Sequence, residues 1–381
     1  MLPIHGHVQP GYEAVRDAFA VNLEEHGDVG AACCVYAGGE PVLDLWAGFA
    51  DLDGGRPWSE DTIQIVFSAT KGVTAVCVLA LVERGLLALD APVAAYWPEF
   101  AQNGKADIPV RFVLCHRAGL AAIDGDLTLP EVLAWDPVVG AIAAQAPNWR
   151  PGSAHGYHAR SFGWILGEIV RRVTGRSLGR FFADELARPL GLDFWIGLPA
   201  AELARCARIL PPEDPLPLAT LLGETALTTR VMSGPSGLFA YDDTWNRPDV
   251  LAAEIPSSNG VGNARALARF YAALIGDVDG VRLLAPATIA AAAETQAAGP
   301  DRVIFVETRY GLGFALQPML APGAGPRSFG HPGAGGSLGF ADPDAGLAFG
   351  YVSTRMRFDA TGDPRTRNLV SALYRAHGGF A

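Results

Sequence analysis

The sequence predicts an α+β fold, in which an antiparallel sheet flanked by helices is interrupted by an inserted helical domain. Strand-like runs cluster near both ends of the 381-residue chain, whereas its middle part reads as helices and loops. The length, which is too great for one ordinary core, also favours two domains. We therefore expect a discontinuous sheet domain over 1–72 and 255–381, a mainly helical domain over 73–254, and a functional site between them.

The N-terminal part predicts one helix, a β-hairpin and a buried helix. Apolar residues recur at helical spacing between Gly11 and His26. Two strand-like runs, 29–36 and 42–46, are separated by a glycine-containing turn, which is typical of a hairpin. A third run, 63–67, leads into an almost wholly apolar helix that is expected to end near Gly85, and such a helix must be buried on nearly every side.

The middle of the chain predicts helices joined by irregular loops. A short helix is expected at 110–115 and a clear amphipathic one at 161–174. Ser177 is a candidate N-cap for a further helix that runs to about Arg188. The stretch 211–248 begins with four prolines in seven positions, and we expect it to be irregular and to form part of a pocket wall.

The C-terminal part returns to strands after one more helix. Asn263 is expected to cap a helix with an apolar face. The runs 327–341 and 347–353 predict two strands joined by a turn. A final helix is expected over 368–377.

Composition limits the classes of partner. The chain has 29 Lys and Arg against 40 Asp and Glu, a net charge of −11 without long basic runs, so nucleic acid and anionic membranes are poor partners. The longest apolar run is about half of the ~20 residues that cross a bilayer, and no N-terminal stretch resembles a signal peptide. The odd number of cysteines matches no zinc pattern and suggests small core residues in a reducing compartment, hence a cytoplasmic protein without a metal: Cys33, Cys34, Cys77, Cys115 and Cys206.

Ser68 and Lys71 stand three positions apart where the third strand-like run meets the apolar helix. Residues at this spacing share a helix face, so the ammonium of Lys71 is expected beside the hydroxyl of Ser68. The helix N-terminus and the apolar surroundings both disfavour a positive charge, which should lower the pKa of Lys71 and allow it to accept a proton. The alternative interpretation is an ordinary helix start with a surface lysine.

Two further stretches carry candidate chemistry. Tyr157 lies in a glycine-containing loop just before a helix, and a nearby lysine ammonium would lower its phenol pKa from about 10 and make it a candidate base. The glycine-rich stretch 330–337 lets a ligand approach the backbone closely, and its N–H groups could bind an oxyanion. A tyrosine packed at a helix start and a glycine-rich hairpin without a ligand are the respective alternatives.

Ser68-x-x-Lys71, the loop tyrosine and the glycine-rich strand entry, in this order along nearly the whole chain, resemble the serine β-lactamase and penicillin-binding protein superfamily. Within it the chain is most similar to class C β-lactamases and to the family VIII carboxylesterases that share their β-lactamase/transpeptidase-like fold. Two motifs depart from the class C pattern. His158-Ala159 follow Tyr157 where that pattern has x-Asn, and His331-Pro332-Gly333 replace Lys-Thr-Gly. A neutral imidazole and a proline are poorly suited to hold a β-lactam carboxylate, so the departures favour an esterase.

The resemblance implies a serine carboxylesterase that hydrolyses small short-acyl esters without a cofactor. Ser68 would be the nucleophile, with Tyr157 at a lowered pKa as base or Lys71 as the direct base. The backbone N–H groups of Ser68 and Ala334 would form the oxyanion hole. Further substrate contacts are expected at His331, Gly333 and Gly335. A β-lactamase or D-amino-acid amidase/peptidase with the same triad stays an alternative, as does a non-catalytic ligand-binding or scaffold protein.

Other motifs have weaker functional interpretations. Ser337 lies in a Gly-x-Ser-x-Gly pattern, but no helix follows it, as the nucleophile elbow of an α/β-hydrolase requires. His155 and His158 lie in a loop without an evident third metal ligand, so they are expected to be satisfied within the loop. His116 is expected to tether backbone, and Asn259 is expected to support a turn.

Overall fold

The computed structural model describes residues 2–214, 217–358 and 362–378. Its strands are β1 (Ile4–Val8), β2 (Gly30–Ala37), β3 (Glu40–Asp51), β4 (Arg56–Pro57), β5 (Gln64–Ile65), β6 (Phe194–Ile196), β7 (Gly260–Gly262), β8 (Ala297–Pro300), β9 (Glu307–Tyr310), β10 (Ala315–Leu316), β11 (Phe329–Pro332), β12 (Leu338–Asp342) and β13 (Leu347–Ser353).

Its α-helices are α1 (Glu13–Glu24), α2 (Thr70–Glu83), α3 (Val110–Leu114), α4 (Leu129–Leu133), α5 (Asp136–Ala144), α6 (Ser161–Thr174), α7 (Leu178–Phe182), α8 (Arg188–Leu190), α9 (Leu218–Leu222), α10 (Leu227–Ser233), α11 (Pro248–Ala252), α12 (Ala264–Ile275), α13 (Pro286–Ala292) and α14 (Pro364–Ala376). A π-helical segment, Ala183–Ala187, joins α7 to α8.

The main sheet is antiparallel and is built from both ends of the chain, which confirms the predicted α+β class. Its strand order is β1-β3-β2-β13-β12-β11-β10-β9-β8, with β4 added beside β3. The N-terminal β2 and the C-terminal β13 pair at the centre, from Ala31 opposite Ser353 to Ala37 opposite Leu347. Forming the centre of the sheet therefore requires residues from opposite ends of the sequence to pair.

The two faces of this sheet bury different helices. Successive strand residues point to opposite faces, so Cys33 packs in the core that α1 and α14 cover, whereas Cys34 packs in the core that contains α2 and α12. The larger core also contains most of the middle helices, including α6. The four cysteines at positions 33, 34, 77 and 115 are buried and all five are free, as expected for small core residues.

The middle of the chain is helical as predicted, with β6 as its one strand among the described residues. Helix α6 has the predicted bounds, and the side chain of Ser177 accepts a hydrogen bond from the backbone N–H of Arg180 at the start of α7. β6 forms a small antiparallel sheet with β7 and β5. The division of the chain at 72 and 255 into two domains stays a prediction.

The stretch 211–248 is more regular than predicted. It contains α9, α10 and a 3₁₀ turn over Asp243–Asn246, although residues 215–216 lie outside the described ones. These elements are one or two turns long, and an apolar period cannot be recognised over so few residues. Their positions are set by tertiary contacts: the Thr228 hydroxyl donates to the backbone carbonyl of Val303, in the loop between β8 and β9.

The second predicted C-terminal strand, 347–353, is confirmed as β13, whereas the first was predicted incorrectly. The run 327–341 is two strands, β11 and β12, which pair with each other across a 3₁₀ turn over Ala334–Gly336. Gly335 and Gly336 have φ values of 80° and 120°, which other residues rarely adopt, and they reverse the chain within three residues. The final helix begins at Pro364 rather than at 368, since Asp363 caps it.

Candidate active site

A strained turn presents Ser68 at the start of α2. The predicted strand 63–67 is reduced to Gln64–Ile65, and the chain then forms a 3₁₀ turn over Phe67–Ala69. Phe67 has φ +47°, which is an unfavourable value for a bulky residue. Strained backbone conformations of this kind cluster at functional sites. Its ring is held edge-on by Trp245, with ring centroids 5.1 Å apart. The turn leaves Ser68 partly exposed while its neighbours Phe67 and Ala69 are buried.

The structure brings Ser68, Lys71 and Tyr157 together. The phenol of Tyr157 donates to Ser68 Oγ at 2.5 Å, and Lys71 Nζ lies 3.1 Å from the same oxygen. Tyr157 arrives from the loop before α6, where its backbone N–H donates to the carboxylate of Asp301 at 3.0 Å. Two groups capable of proton transfer thus contact one accessible hydroxyl.

Lys71 is completely buried, and among the described residues no carboxylate forms an ion pair with it. Nζ instead lies 2.7 Å from the carbonyl oxygen of Ala159 and 3.0 Å from that of Ser257. Burial, followed by the positive charge of Arg160, lowers the pKa of Lys71 well below its usual value, so the predicted direction is confirmed. A neutral amine has two N–H groups for the two carbonyls and one lone pair left for Ser68.

Tyr157 does not have the lowered pKa that the sequence suggested. Burial raises the pKa of its phenol above the usual value, and this effect exceeds the opposing hydrogen bond with Ser68. The prediction assumed a full positive charge on Lys71, whereas burial of that side chain favours the neutral amine. Tyr157 is therefore protonated, and its hydroxyl donates a hydrogen bond to Ser68 Oγ.

The glycine-rich turn over 333–337 packs closely against the turn that carries Ser68. The Ser337 hydroxyl donates to the carbonyl oxygen of Val66 at 2.7 Å. A Cβ atom at Gly333 would lie 2.2 Å from this same oxygen, so only glycine permits the approach. Ala334 is partly exposed, and its N–H donates to no other residue that the structure describes, which leaves it available to a ligand.

A buried arginine supports this turn from behind. Arg365 donates through Nη2 to the carbonyl oxygen of Gly335 and to Asp363, both at 2.6 Å. Its Nη1 donates to Asp28 at 2.9 Å, an ion pair with no exposed side-chain surface. Gly335 is itself buried, so the structure places its backbone against Arg365, and the predicted substrate contact at Gly335 stays a prediction.

His331 lies on the Tyr157 side of the site. The two rings are tilted at 32° with centroids 6.2 Å apart. Burial lowers the pKa of His331 to about 3, so the ring is neutral. With Nδ1 bonded to the Pro332 carbonyl at 2.7 Å, the buried Nε2 has no hydrogen-bond partner among the described residues and could accept one from a ligand.

Three further histidines support the loop that carries Tyr157, as expected. His116 Nδ1 accepts from the backbone N–H of His158 at 3.1 Å, and His158 Nε2 accepts from that of Leu120 at 3.0 Å. His155 bonds to Thr308 at 2.8 Å. Burial lowers the pKa of His158 to about 4. Asn259 likewise supports a turn through the carbonyl of Val250 at 2.8 Å.

Besides Arg365, two supporting residues were missed in the sequence analysis. Arg160 is buried and donates to three backbone carbonyls of the segment that contains α10, those of Val231, Met232 and Phe239. Asp301 binds the backbone of Tyr157 from the loop after β8. Neither residue belongs to a motif. Both bind backbone groups of distant segments, so no local sequence pattern predicts their roles.

We expect Ser337→Ala to lower stability while leaving catalysis nearly intact. The substitution removes one buried hydrogen bond, which contributes about 1 kcal/mol to the free energy of unfolding. The Val66 carbonyl keeps its bond from the N–H of Ala69. Urea unfolding of wild type and variant measures the loss, and an unchanged unfolding midpoint would contradict the structural role of this serine.

A serine hydrolase of the β-lactamase type is the class that this fold and this site define. The chain belongs to the Beta-lactamase family, whose model matches residues 15–373. No helix in the described part of the chain is both long and apolar enough to cross a membrane.

Individual relatives place it near esterases. The chain is 38% identical over 364 residues to Esterase/beta-lactamase LipL of Mycobacterium tuberculosis (strain ATCC 25618 / H37Rv). The matched region covers 93% of this chain and 83% of LipL. A crystal structure of a family VIII carboxylesterase has a TM-score of 0.88 at 40% identity and covers 98% of this chain and all of that one. EstA from Arthrobacter nitroguajacolicus Rue61a has a TM-score of 0.89 at 35% identity, covering 99% and 100%. The resemblance inferred from the motifs is confirmed.

Proposed function

We propose that the protein is a carboxylesterase that forms an acyl-enzyme on Ser68. The observation that carries the proposal is the contact of one partly exposed hydroxyl with both Lys71 Nζ and Tyr157 Oη. The similarity to proteins described as esterases, at 38–40% identity, supports ester substrates. The short-acyl class follows from the resemblance of the motifs.

In the acylation step, neutral Lys71 accepts the proton of Ser68 while Oγ bonds to the ester carbonyl carbon. The negative charge that develops on the carbonyl oxygen is stabilised by the N–H groups of Ser68 and Ala334. The phenol of Tyr157 gives its proton to the departing alkoxide and regains one from the Lys71 ammonium. Tyr157 and Lys71 exchange a proton within one coupled pair, and the lowered pKa of Lys71 favours it as the direct base.

In the deacylation step, water attacks the acyl carbon of the Ser68 ester. The same pair accepts the proton of this water and returns a proton to Ser68 Oγ as the acid leaves. Every group in the cycle comes from the protein or from water. His331 presents a neutral acceptor where the lysine of related lactam-hydrolysing enzymes would carry a charge, so the site suits uncharged esters.

We expect purified protein to hydrolyse p-nitrophenyl butyrate with a much higher kcat/KM than a chromogenic cephalosporin. The assay compares both substrates on wild type, with Ser68→Ala to remove background hydrolysis. Equal or faster cephalosporin turnover would favour the β-lactamase alternative. That alternative stays open because LipL is named both an esterase and a β-lactamase. Failure of a fluorophosphonate to label the wild-type protein would favour a non-catalytic role.

A further inference from the structure

A groove of about 490 Å³ lies between helix α13 and the paired strands β10 and β11. Its apolar rim consists of residues that are exposed or partly exposed: Ile275, Pro286, Ala290, Pro326 and Pro343. Largely apolar walls and a volume between about 300 and 1,000 Å³ are typical of pockets that bind small molecules. Ser68, Lys71 and Tyr157 do not line this groove, so it is separate from the candidate active site.

Small side chains on α13 keep the groove open. Ala290 and Ala293 both line it, and their spacing of three residues puts them on one face of the helix. Neither side chain extends beyond Cβ, so α13 does not fill the space in front of the strands. The side chains of Leu316 and Phe329 lie below as part of the larger buried core. A ligand can therefore enter from solvent and contact apolar surface.

The charged residues of the groove are mainly arginines. Arg282, Arg309 and Arg327 line it together with Glu294. Arg327 forms an ion pair with Asp344, which leaves the other two arginines against one glutamate. The groove is thus locally positive, whereas the whole chain has a net charge of −11. Such a local field attracts anions to this part of the surface.

Arg282 and Arg309 have guanidinium N–H groups left for a ligand. Arg309 donates through Nε to the hydroxyl of Thr295 at 2.6 Å, and among the described residues its two terminal nitrogens have no partner. Arg282 donates through Nη2 to the carbonyl of Ile275 at 2.6 Å and forms no ion pair in the described part of the chain. The planar guanidinium matches the geometry of a carboxylate, which it binds through two parallel hydrogen bonds.

These features define the chemistry of a ligand. We propose that the groove binds a small carboxylate with an apolar body, whose anionic end contacts Arg282 and Arg309 while its body lies along α13. A cavity of about 150 Å³ holds a benzene ring, so about 490 Å³ has room for a chain of about ten carbons or for two to three aromatic rings. This site is additional to the hydrolytic one and does not depend on ester hydrolysis.

The test measures the Kd of decanoate, and of its neutral analogue decanol, by isothermal titration calorimetry. For wild type we expect decanol to bind at least about tenfold more weakly than decanoate, since it cannot form charge-assisted hydrogen bonds. The double variant Arg282→Gln and Arg309→Gln should raise the Kd of decanoate by the same factor and leave that of decanol nearly unchanged. Arg309→Gln alone is the second variant, in case the double one does not fold, and should raise it at least about threefold.

Two further variants separate the groove from other surfaces. Ala290→Trp places a large ring in the groove at an exposed helix position, and we expect it to weaken the binding of decanoate at least about tenfold. Arg16→Gln is the matched control, because it removes an exposed arginine from α1 on the opposite face of the main sheet. This variant should keep the wild-type Kd. Circular dichroism verifies that each variant is folded.

Four results would overturn the inference. An unchanged Kd of decanoate in the arginine variants and in Ala290→Trp would place the ligand elsewhere. Equal affinity for decanol and decanoate would show that the arginines do not select an anion. Absence of decanoate binding at about 1 mM would show that the groove holds no such ligand. A dimer in analytical ultracentrifugation that Ala290→Trp dissociates, without decanoate binding, would assign the groove to a second copy of the chain.

Discussion

Ser68→Ala is expected to lower kcat for p-nitrophenyl butyrate by about 1,000-fold or more, since removal of a nucleophile leaves only binding and oxyanion stabilisation. The substitution removes the hydroxyl that both Tyr157 and Lys71 contact and leaves the turn backbone unchanged. Steady-state kinetics on folded variant, verified by circular dichroism and by its unfolding midpoint, measures the effect. Loss of labelling by a fluorophosphonate should accompany it.

Ser337→Ala is the matched control for this experiment. It also deletes a hydroxyl within a few residues of a glycine-rich turn, but that hydroxyl is buried and bonded to the Val66 carbonyl. We expect its kcat to stay within a few-fold of wild type. If instead Ser337→Ala were inactive and labelled poorly while Ser68→Ala worked, both the mechanism and the assignment of the site would be wrong.

Lys71→Met is expected to abolish ester hydrolysis and at the same time to stabilise the fold. The variant keeps the length of the side chain but has no lone pair on nitrogen to accept the Ser68 proton, so kcat should fall by about 1,000-fold or more. It also removes a buried amine that folding must desolvate, and we expect the free energy of unfolding at pH 7 to rise by on the order of 1 kcal/mol. Kinetics and urea unfolding together measure the two effects.

The pH dependence of stability and of activity is a second test of the role of Lys71. Because burial lowers the pKa of Lys71 in the folded state, the unfolded chain binds more protons between that pKa and about 10.4. Wild-type stability should therefore gain from this group as pH rises through that window, and Lys71→Met should lack the gain. Activity should likewise rise with pH as Lys71 becomes neutral. This rise is centred on the lowered pKa of Lys71 in the folded protein, at the lower end of that window, and a rate that falls there with rising pH would contradict Lys71 as the base.

Lys105→Met separates a catalytic lysine from a merely buried one. Lys105 is also fully buried, and it donates to the carbonyl of Ala143 at 3.0 Å, away from Ser68. Burial lowers its pKa as well. We expect the variant to keep wild-type kcat whatever its stability, so equal losses in the two lysine variants would contradict the specific role of Lys71.

The elements that the sequence predicted well are those whose local pattern matches their tertiary surroundings. Helix α6 has a complete apolar face and ends at Gly175 in a left-handed conformation, and its bounds were predicted without error. The strands β8, β9 and β10 were not predicted, since they are only two to four residues long and an alternating pattern cannot be recognised over so few residues. The division of 327–341 into two strands depends on the φ values of Gly335 and Gly336, which composition alone does not reveal.

The same distinction applies to the site. Ser68, Lys71 and Tyr157 were predicted because their types and order form a recognisable pattern, and the structure brings them together. The direction of the Tyr157 pKa was wrong, since burial of both Tyr157 and Lys71 is a property of the assembled fold. Arg160 and Arg365 were not found, because each binds backbone carbonyls of segments far away in the sequence.

The ion pair between Arg365 and Asp28, 337 positions apart, has a consequence for the order of folding. Contacts of such sequence separation form late, because a long loop must close before they contribute any stability. Arg365 donates to the carbonyl of Gly335, so we expect the glycine-rich turn to reach its final position only after the central pair β2–β13 has assembled. The turn at Phe67 that positions Ser68 is also held by distant residues, Trp245 and Ser337, so we expect Ser68 and Ala334 to reach their final positions together. We therefore expect protein in which β2 and β13 have not paired to be inactive towards esters, even where helix α2 has formed.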